Sequence, residues 1–280
     1  MNYQWYPGHM TKAKRMMQEN IGLIDLVIEL VDARIPLSSR NPDIDELGKN
    51  KARMILLNKS DLADPAGNKA WMEYFVERGF HVLEVNAKTG QGLKAIQGKV
   101  REACKEKLER DRRRGIKNRP VRAIVVGIPN VGKSTFINSF AGKACTKTGN
   151  KPGVTKGKQW IRLNKELELL DTPGILWPKF EDPKAGLDLA FCGSIKDEIL
   201  DTATLALELI KVLQAEYPEQ LMARYKIDEI CEEALDTMEA IAVKRGWILS
   251  GKRIDYERCG RTILDEFRAG LIGRITLEKI

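Results

Sequence analysis

The feature that most constrains this chain is an apolar segment that opens onto a loop bounded by glycines. Ala123 to Val126 is short, apolar and rich in β-branched residues, which is typical of a buried strand. The residues that follow, Gly127 to Ser134, match the phosphate-binding pattern G-x-x-x-x-G-K-[ST]. A helical pattern continues from Thr135 to Phe140. Strand, loop and helix in this order predict an α/β domain that binds phosphate groups, since a chance glycine-rich turn would lack the flanking elements.

Each part of this loop has a chemical task. Glycines let the backbone wrap closely, so that its N–H groups point at phosphate oxygens, and the start of the helix adds a positive dipole end. Lys133 can reach the outer phosphates and is a candidate catalytic residue, and the Ser134 hydroxyl is a candidate Mg²⁺ ligand. The residues expected to contact the nucleotide are Asn130, Val131, Gly132, Lys133, Ser134 and Thr135.

A loop nearer the N-terminus carries a base-recognition pattern. The strand predicted over Arg53 to Leu57 runs into N-K-x-D, present as Asn58, Lys59, Ser60 and Asp61. Asp61 would accept hydrogen bonds from the N1–H and the amine of guanine, which adenine cannot supply in that arrangement. Asn58 would tie this loop to the phosphate loop, and the stem of Lys59 would lie over the base. Alone, the motif also suits an ordinary loop before a helix, but together with the phosphate loop it describes one ligand.

A third loop follows the strand predicted over Phe80 to Val85. It reads Asn86, Ala87 and Lys88, and Ala87 could offer its backbone N–H to the guanine carbonyl. These three residues are therefore further candidates for nucleotide binding.

A predicted hairpin completes the set of motifs. Its strands, Gln159 to Leu163 and Glu166 to Leu170, lead into D-T-P-G at residues 171–174. Asp171 at a strand end can orient Mg²⁺, usually through water, and the Gly174 N–H can sense the γ-phosphate.

The length, net charge and cysteine pattern of the chain limit its possible partners and location. The chain has 280 residues, enough for one large domain or two ordinary ones. Its formal net charge is +8, which suggests a polyanionic partner, nucleic acid before a membrane. The alternative is a generally basic soluble protein without such a partner. Five cysteines stand far apart in no C-x-x-C pattern, which indicates a reducing compartment and argues against a disulfide framework or zinc site. We find neither an export signal nor an apolar run of membrane-spanning length, so we expect a cytoplasmic protein that contacts no membrane.

A basic run precedes the phosphate-loop strand. It follows a helix predicted over Gly92 to Leu108, and we place it in a linker. Its members are Arg110, Arg112, Arg113, Arg114, Lys117 and Arg119. Such a run is either a solvated connection or a contact for nucleic acid, and both interpretations stay open here.

The order of the motifs is permuted. Ordinary GTPases read phosphate loop, switch threonine, D-x-x-G, N-K-x-D and then S-A-K, whereas N-K-S-D and N-A-K come first in this chain. The chain resembles a circularly permuted GTPase. Its N-terminal W-Y-P-G-H-M, its Asp32-Ala33-Arg34 element and its length are similar to those of the YlqF/RbgA family of bacterial ribosome-assembly GTPases. The motifs cover residues 5–178.

The resemblance implies GTP and GDP as ligands, Mg²⁺ as cofactor and a role in late maturation of the large (50S) ribosomal subunit. Ribosomal RNA and ribosomal proteins would then be the partners. It places the switch threonine, a catalytic residue and Mg²⁺ ligand, at Thr155, with Thr148 as the alternative. Asn130 is the phosphate-loop asparagine that K⁺-stimulated GTPases often carry, so K⁺ is a candidate second cofactor.

Two positions depart from the usual GTPase pattern. Asn86 replaces the serine of S-A-K, with little expected loss because the essential contact comes from the backbone of Ala87. Ile175 follows D-T-P-G, where many GTPases place a glutamine that orients the attacking water. Isoleucine cannot do this, so another residue must position the water.

The chain offers two histidines for that role. His81 lies in a predicted strand and suits a structural role. His9 lies near the chain start, which the permutation should bring beside the segment after Gly174, and a neutral imidazole can accept a proton or orient water. His9 is therefore a third candidate catalytic residue, with the role of positioning the water. Its alternatives are packing against Trp5 or Tyr6 and a contact with RNA.

We expect an α/β fold with a GTPase domain over residues 1–180, including an N-terminal segment over residues 1–20. Its sheet should be mainly parallel, with helices on both sides. Residues 181–280 should form a helical, RNA-binding domain, with helices near Thr202 to Ala215, Asp228 to Arg245 and Asp255 to Ile272 and a linker over Glu181 to Lys184. Because D-T-P-G leads directly into that domain, nucleotide state could bias its orientation. We expect a monomer.

Apolar stripes at helical spacing predict the core of the C-terminal region. The stripes are Leu205, Leu209 and Leu213, and Ile263, Phe267 and Leu271. Basic residues interleaved with acids would either contact RNA phosphates or form a solvated face: Lys244, Arg245, Lys252, Arg253, Arg258, Arg261 and Arg268.

Two other functions compete with a ribosome-assembly GTPase. One is a GTP-dependent switch or scaffold with little turnover, whose partner is another RNA or a protein, and Ile175 favours it for the isolated chain. The other is a P-loop kinase or ATPase, which residues 58–61 disfavour because they select guanine.

Overall fold

The computed structural model describes residues 15–116, 119–142, 159–172, 182–195 and 201–280. The chain divides into two units. Unit 1 comprises Met1–Glu181 together with Glu278–Ile280, and unit 2 comprises Asp182–Leu277.

Within the described residues, unit 1 is built on a six-stranded sheet. Its strands are β1 (Leu26–Asp32), β2 (Ala52–Asn58), β3 (His81–Glu84), β4 (Val121–Val126), β5 (Gln159–Arg162) and β6 (Leu167–Asp171). They lie in the order β3-β2-β1-β4-β6-β5. All neighbours are parallel except β5 and β6, which form the predicted antiparallel hairpin. The mainly parallel sheet expected from the sequence is thus confirmed.

The strand order brings distant motifs together. Strand β1 pairs with β2 on one side and with β4 on the other, so it separates the base-recognition strand from the phosphate-loop strand. All residues of β1 are buried. Because successive side chains point to opposite faces of a sheet, both faces are covered at this central strand.

Helices surround the sheet of unit 1. Residues 15–20 are helical, and the further helices are Asp43–Leu47, Pro65–Glu77, Ile96–Ala103, Lys105–Arg113 and Lys133–Gly142, with 3-10 turns at Ile21–Leu23, Ser60–Leu62 and Leu93–Ala95. Trp71 and Phe75 pack with Val31 and Leu57 of the sheet in one apolar cluster. This cluster fixes helix Pro65–Glu77 beside the strand that leads into the base-recognition loop.

The basic run before β4 begins in a helix, so its assignment to a linker is wrong. The helical pattern predicted to end at Leu108 continues to Arg113 after a break at Cys104. Its lysines, glutamates and arginines are strong helix formers, and Lys107 pairs with Asp111 at 3.1 Å, one turn further along. Several of the basic side chains are therefore presented by a helix.

The described residues of unit 2 form helices and one small hairpin. Its helices are Pro183–Phe191, Thr202–Glu216, Pro218–Tyr225, Ala234–Arg245 and Tyr256–Arg268, and its hairpin pairs Ile248–Leu249 with Arg253–Ile254. The predicted stripe of Leu205, Leu209 and Leu213 is buried. Leu271 in the second stripe is exposed, because it lies beyond the end of its helix.

The linker predicted over residues 181–184 is wrong from Asp182 onward. Pro183 begins a helix, and the Asp182 carboxylate accepts a hydrogen bond from the Lys184 N–H at 2.8 Å. Proline at the first helical position loses no intrahelical hydrogen bond, so it favours this start. Pro218 begins a helix in the same way, and the sequence prediction missed that helix.

Two helices of unit 2 are shorter than predicted. The helix expected from Asp228 begins at Ala234, after a stretch crowded with like-charged carboxylates, which disfavour a helix. The helix expected to reach Ile272 ends at Arg268. Gly270 then adopts a left-handed φ of 74°, a conformation that commonly ends helices.

The last residues of the chain bind within unit 1. The Glu278 carboxylate accepts hydrogen bonds from the N–H groups of Leu37 (2.6 Å) and Ser38 (2.8 Å). The Glu278 carbonyl accepts one from Trp71 Nε1 at 3.0 Å. These partners are at least 207 positions apart in the sequence, so no local pattern predicts them.

Candidate nucleotide-binding site

The loops that carry the predicted motifs leave the same edge of the sheet. Strands β1, β2, β3, β4 and β6 are parallel, so their carboxyl ends lie together. Open α/β sheets bind ligands at this edge. The structure therefore gathers, in one place, motifs that lie far apart in the sequence, from Asn58 to Asp171.

The phosphate loop has a backbone that only glycine permits at two positions. Gly132 has a φ of 99°, and a Cβ there would lie 2.5 Å from Asn58 Nδ2. Gly127 has a φ of 154°, and a Cβ there would lie 2.7 Å from the Leu30 carbonyl oxygen. A side chain at either position would force the loop away from its neighbours. Gly132 thus sets how closely this loop packs against the base-recognition loop, and Gly127 sets how closely it packs against β1.

Lys133 is the buried cation of the phosphate loop. Its Nζ donates hydrogen bonds to the carbonyl oxygens of Gly127 (2.8 Å) and Ile128 (2.9 Å), and the residue is 8% exposed. Burial lowers the pKa of Lys133 to about 8, and the charge of Asp171 only partly opposes this shift. An ammonium with so little water around it gains strongly from a phosphate oxygen.

Two of the predicted Mg²⁺ ligands follow neighbouring strands: one lies in the helix after β4, and the other ends β6. Ser134 is exposed in the first turn of helix Lys133–Gly142, and Asp171 ends β6, the neighbour of β4. Thr172 Oγ1 donates to the Val125 carbonyl at 2.7 Å and so fastens the two strand ends together. A hydroxyl and a carboxylate are oxygen ligands of the kind that Mg²⁺ prefers.

Asn58 joins three loops. Its Nδ2 donates to the Val131 carbonyl of the phosphate loop at 2.8 Å, and its Oδ1 accepts from the Ala87 N–H at 3.0 Å. The predicted tie between base-recognition and phosphate loops is present. The Ala87 N–H, however, already has a partner in Asn58. A guanine carbonyl would have to share it in a three-centre hydrogen bond, an arrangement that proteins do use.

The loop after β3 is shaped by the asparagine that replaces the usual serine. Asn86 Oδ1 accepts from the N–H groups of Lys88 (2.9 Å) and Thr89 (3.0 Å), which is an Asx turn. Ser139 Oγ on the helix after the phosphate loop donates to the Ala87 carbonyl at 2.6 Å. Asn86 therefore acts as a local support of the loop.

Two charged side chains of the base-recognition loop differ in their surroundings. Asp61 is exposed, as a residue that reads a ligand should be. Lys59 has a left-handed φ of 59°, and its Nζ lies 2.9 Å from Asp32 Oδ2. The sequence motifs assign Asp32 no role beyond the family resemblance. A signal existed, since an acidic residue ends the strand that lies between the two nucleotide-binding strands.

Several predicted residues lie outside the described part of the chain: His9, Thr148, Thr155, Gly174 and Ile175. Their roles stay predictions. His81 Nδ1 lies 3.4 Å from Glu102 Oε1, which fits the structural role predicted for it. Across the described ranges, no helix is long and apolar enough to cross a membrane.

A parallel sheet with a phosphate loop, and with an N-K-x-D loop tied to it from earlier in the sequence, defines a permuted P-loop protein of the GTPase class. Residues 122–243 match the family described as 50S ribosome-binding GTPase. Ribosome biogenesis GTPase A of Bacillus cereus is 49% identical over 278 residues, which are 99% of this chain and 94% of the relative. Mitochondrial ribosome-associated GTPase 1 of Bos taurus is 32% identical over 99% of this chain and 88% of its own length.

Solved structures agree with these relatives. A GDP-bound structure of YlqF has a TM-score of 0.71 at 27% identity, over 95% of this chain and 99% of its own. A GNP-bound YlqF from T. maritima has a TM-score of 0.66 at 28% identity, over 96% and 98%. The chain belongs to the family of ribosome biogenesis GTPase A, and the resemblance that its motifs indicated is confirmed.

Proposed function

We propose that this chain binds GTP at the edge formed by these loops, hydrolyses it to GDP and phosphate, and acts in late maturation of the large ribosomal subunit in the cytoplasm. The single observation that supports this most strongly is Asn58, which links the phosphate loop to the loop after β3 through two short hydrogen bonds. One side chain thereby couples the phosphate end of the ligand to its base end.

The binding roles follow from the positions of the residues. In this proposal the phosphate loop, residues 127–134, wraps the phosphates with its backbone N–H groups. Lys133 supplies a buried positive charge. Asp61 accepts from the guanine edge, and an adenine there would leave that carboxylate without its donors.

Ser134 and Asp171 would hold Mg²⁺, with Thr155 as a third ligand in the triphosphate state. When bound, Mg²⁺ supplies positive charge that stabilises the phosphate oxygens during hydrolysis. Asn130 supports K⁺ as a second cofactor. The positioning of the attacking water falls to His9, because Ile175 has no hydrogen-bonding group in its side chain.

The relatives' names refer to ribosome biogenesis and to association with the ribosome, and we propose ribosomal RNA and ribosomal proteins as the partners. On unit 2, Lys252, Arg253 and Arg258 are exposed and form no ion pair with a carboxylate in the described part of the chain, so they can contact RNA phosphates. Arg268 is a poorer candidate, because it donates to the carbonyl oxygens of Phe191 (3.0 Å) and Ala190 (2.9 Å). We propose that residues 181–280 provide the RNA-binding domain of a monomeric factor.

The test measures GTP turnover alone and with purified large ribosomal subunits, and sedimentation with those subunits in GDP or a non-hydrolysable GTP analogue. We expect slow turnover alone, stimulation by the subunit, and co-sedimentation that depends on the nucleotide. Lys133→Ala is the control that should lose turnover under both conditions. Nucleotide-dependent co-sedimentation without turnover would favour the switch or scaffold instead, and turnover that small subunits stimulate equally would contradict the proposed partner.

A further inference from the structure

We propose that Asp32 is a positioning residue for the guanine base: its carboxylate holds the Lys59 ammonium, so that the stem of Lys59 is already laid across the base-binding face. This inference rests on the proposed function, because it assigns the base to the loop after β2.

Asp32 and Lys59 are in direct contact, and their side chains differ in exposure to solvent. Asp32 ends β1, the strand between β2 and β4, and its Oδ2 accepts a hydrogen bond from Lys59 Nζ at 2.9 Å. The Asp32 side chain is 1% exposed and that of Lys59 is 24% exposed. A buried anion thus reaches out to a cation at the surface of the site. The lysine is the only partner of this pair that can also meet a ligand.

Both ends of the Lys59 side chain are fixed. Its backbone is left-handed, and it follows Asn58, whose side chain is bonded to Val131 and Ala87. Its ammonium is fixed by Asp32. A free lysine side chain has up to about 2 kcal/mol of rotamer entropy to lose, and here much of that loss occurs in folding instead of in binding. Preorganisation of this kind raises affinity without adding a contact to the ligand.

Asp32 is itself held by a second cation. Arg34 donates from Nε to Oδ1 at 2.9 Å and from a terminal nitrogen to Oδ2 at 2.8 Å, and Ser39 Oγ accepts from the Asp32 N–H at 2.9 Å. Burial alone would raise the pKa of Asp32, but the charges of Arg34 and Lys59 hold it well below its usual range. The carboxylate is therefore ionised near neutral pH.

The same strand provides a matched control. Glu29 is also 1% exposed and is paired with Arg40 (3.0 Å) and Arg53 (3.3 Å). Neither arginine belongs to a nucleotide-binding motif. Loss of charge at Glu29 should weaken the fold as loss of charge at Asp32 does, but it should leave the base-recognition loop unchanged.

The experiment measures GDP affinity by titration calorimetry, and the melting temperature, for the full chain and for four variants. The variants are Asp32→Asn, Lys59→Met, the double variant and Glu29→Gln. We expect Asp32→Asn and Lys59→Met each to weaken GDP binding about 10- to 100-fold, the range of a lost charge-assisted hydrogen bond, and the double variant to bind no worse than the weaker single one. Glu29→Gln should lower the melting temperature and keep wild-type affinity.

Two results would overturn the proposal. One is wild-type GDP affinity in Lys59→Met, which keeps an unbranched apolar stem of similar length, with sulfur in place of one methylene, and removes the ammonium. This variant is informative even if Asp32→Asn fails to fold. The other is losses that multiply in the double variant, which would mean that Asp32 acts independently of Lys59. Failure of the proposed function looks different, because the wild-type chain would then not bind GDP at all.

Discussion

Replacement of Asn58 by alanine should damage both the stability of unit 1 and its affinity for nucleotide. The change removes a donor to the Val131 carbonyl and an acceptor from the Ala87 N–H. Val131 is 0% exposed and Ala87 is 2% exposed, so water cannot easily replace the lost partner. Each buried polar group left without a partner costs about 1–3 kcal/mol, which places the total loss at about 2–6 kcal/mol.

A second substitution at this position separates the contributions of the two hydrogen bonds. Asn58→Asp keeps an oxygen that accepts from the Ala87 N–H and removes only the donor to Val131. We expect about half of the alanine effect, or about 1–3 kcal/mol, before any cost of burying the new charge. GDP affinity should fall in the same order, because the same two hydrogen bonds hold the phosphate and base loops together.

The assay is urea denaturation followed by titration with GDP. Asn164→Ala is the matched control, since its Oδ1 accepts from the N–H groups of Glu166 (2.8 Å) and Leu167 (3.0 Å) in the turn between β5 and β6, away from the motif loops. It should keep wild-type GDP affinity. If the free energy of unfolding of Asn58→Ala lies within about 1 kcal/mol of the wild-type value and the variant binds GDP normally, the proposal that Asn58 joins the loops is refuted.

The remaining predictions concern recognition of the base, the switch threonine, the residue that positions the attacking water, and the last residues of the chain. Asp61→Asn should weaken the binding of GTP by a few kcal/mol and shift the preference of the site toward xanthine nucleotides. An unchanged GTP affinity in a titration would contradict this prediction. Thr155→Ala should spare GDP affinity and impair turnover, whereas unaltered hydrolysis would move the switch role to Thr148. His9→Ala should lower subunit-stimulated turnover about 10- to 1,000-fold with little change in nucleotide affinity, and normal stimulated rates would remove His9 from catalysis. Glu278→Ala should lower the stability of unit 1 by about 1–2 kcal/mol in thermal denaturation, and an unchanged melting curve would show that the Glu278 carboxylate is dispensable.

Local patterns in the sequence were sufficient to predict the nucleotide-binding motifs and the strands that carry them. The reason is that a phosphate loop needs glycines, a lysine and a hydroxyl at fixed spacing between a strand and a helix, and all of these lie within one short segment. The sequence also contains a local signal for the helix that begins at Pro183, namely an aspartate directly before a proline. The prediction of a linker there overlooks this signal. Misjudged helix ends in unit 2 likewise reflect local signals, such as Gly270, that compete with helix propensity.

Only the tertiary structure decided how these motifs work together. The strand order places β1 between β2 and β4, and this brings Asp32 to Lys59 across 27 positions. The motifs predicted that Asn58 ties two loops, but the structure identified its partner as the Val131 carbonyl, 73 positions away. The contact between Leu37 and Glu278 spans 241 positions. Such pairs depend on which strands are neighbours and on which polar groups are buried beside them. A sequence pattern records the chemistry of each residue, but the partner of a buried charge is set by the packing of the whole sheet.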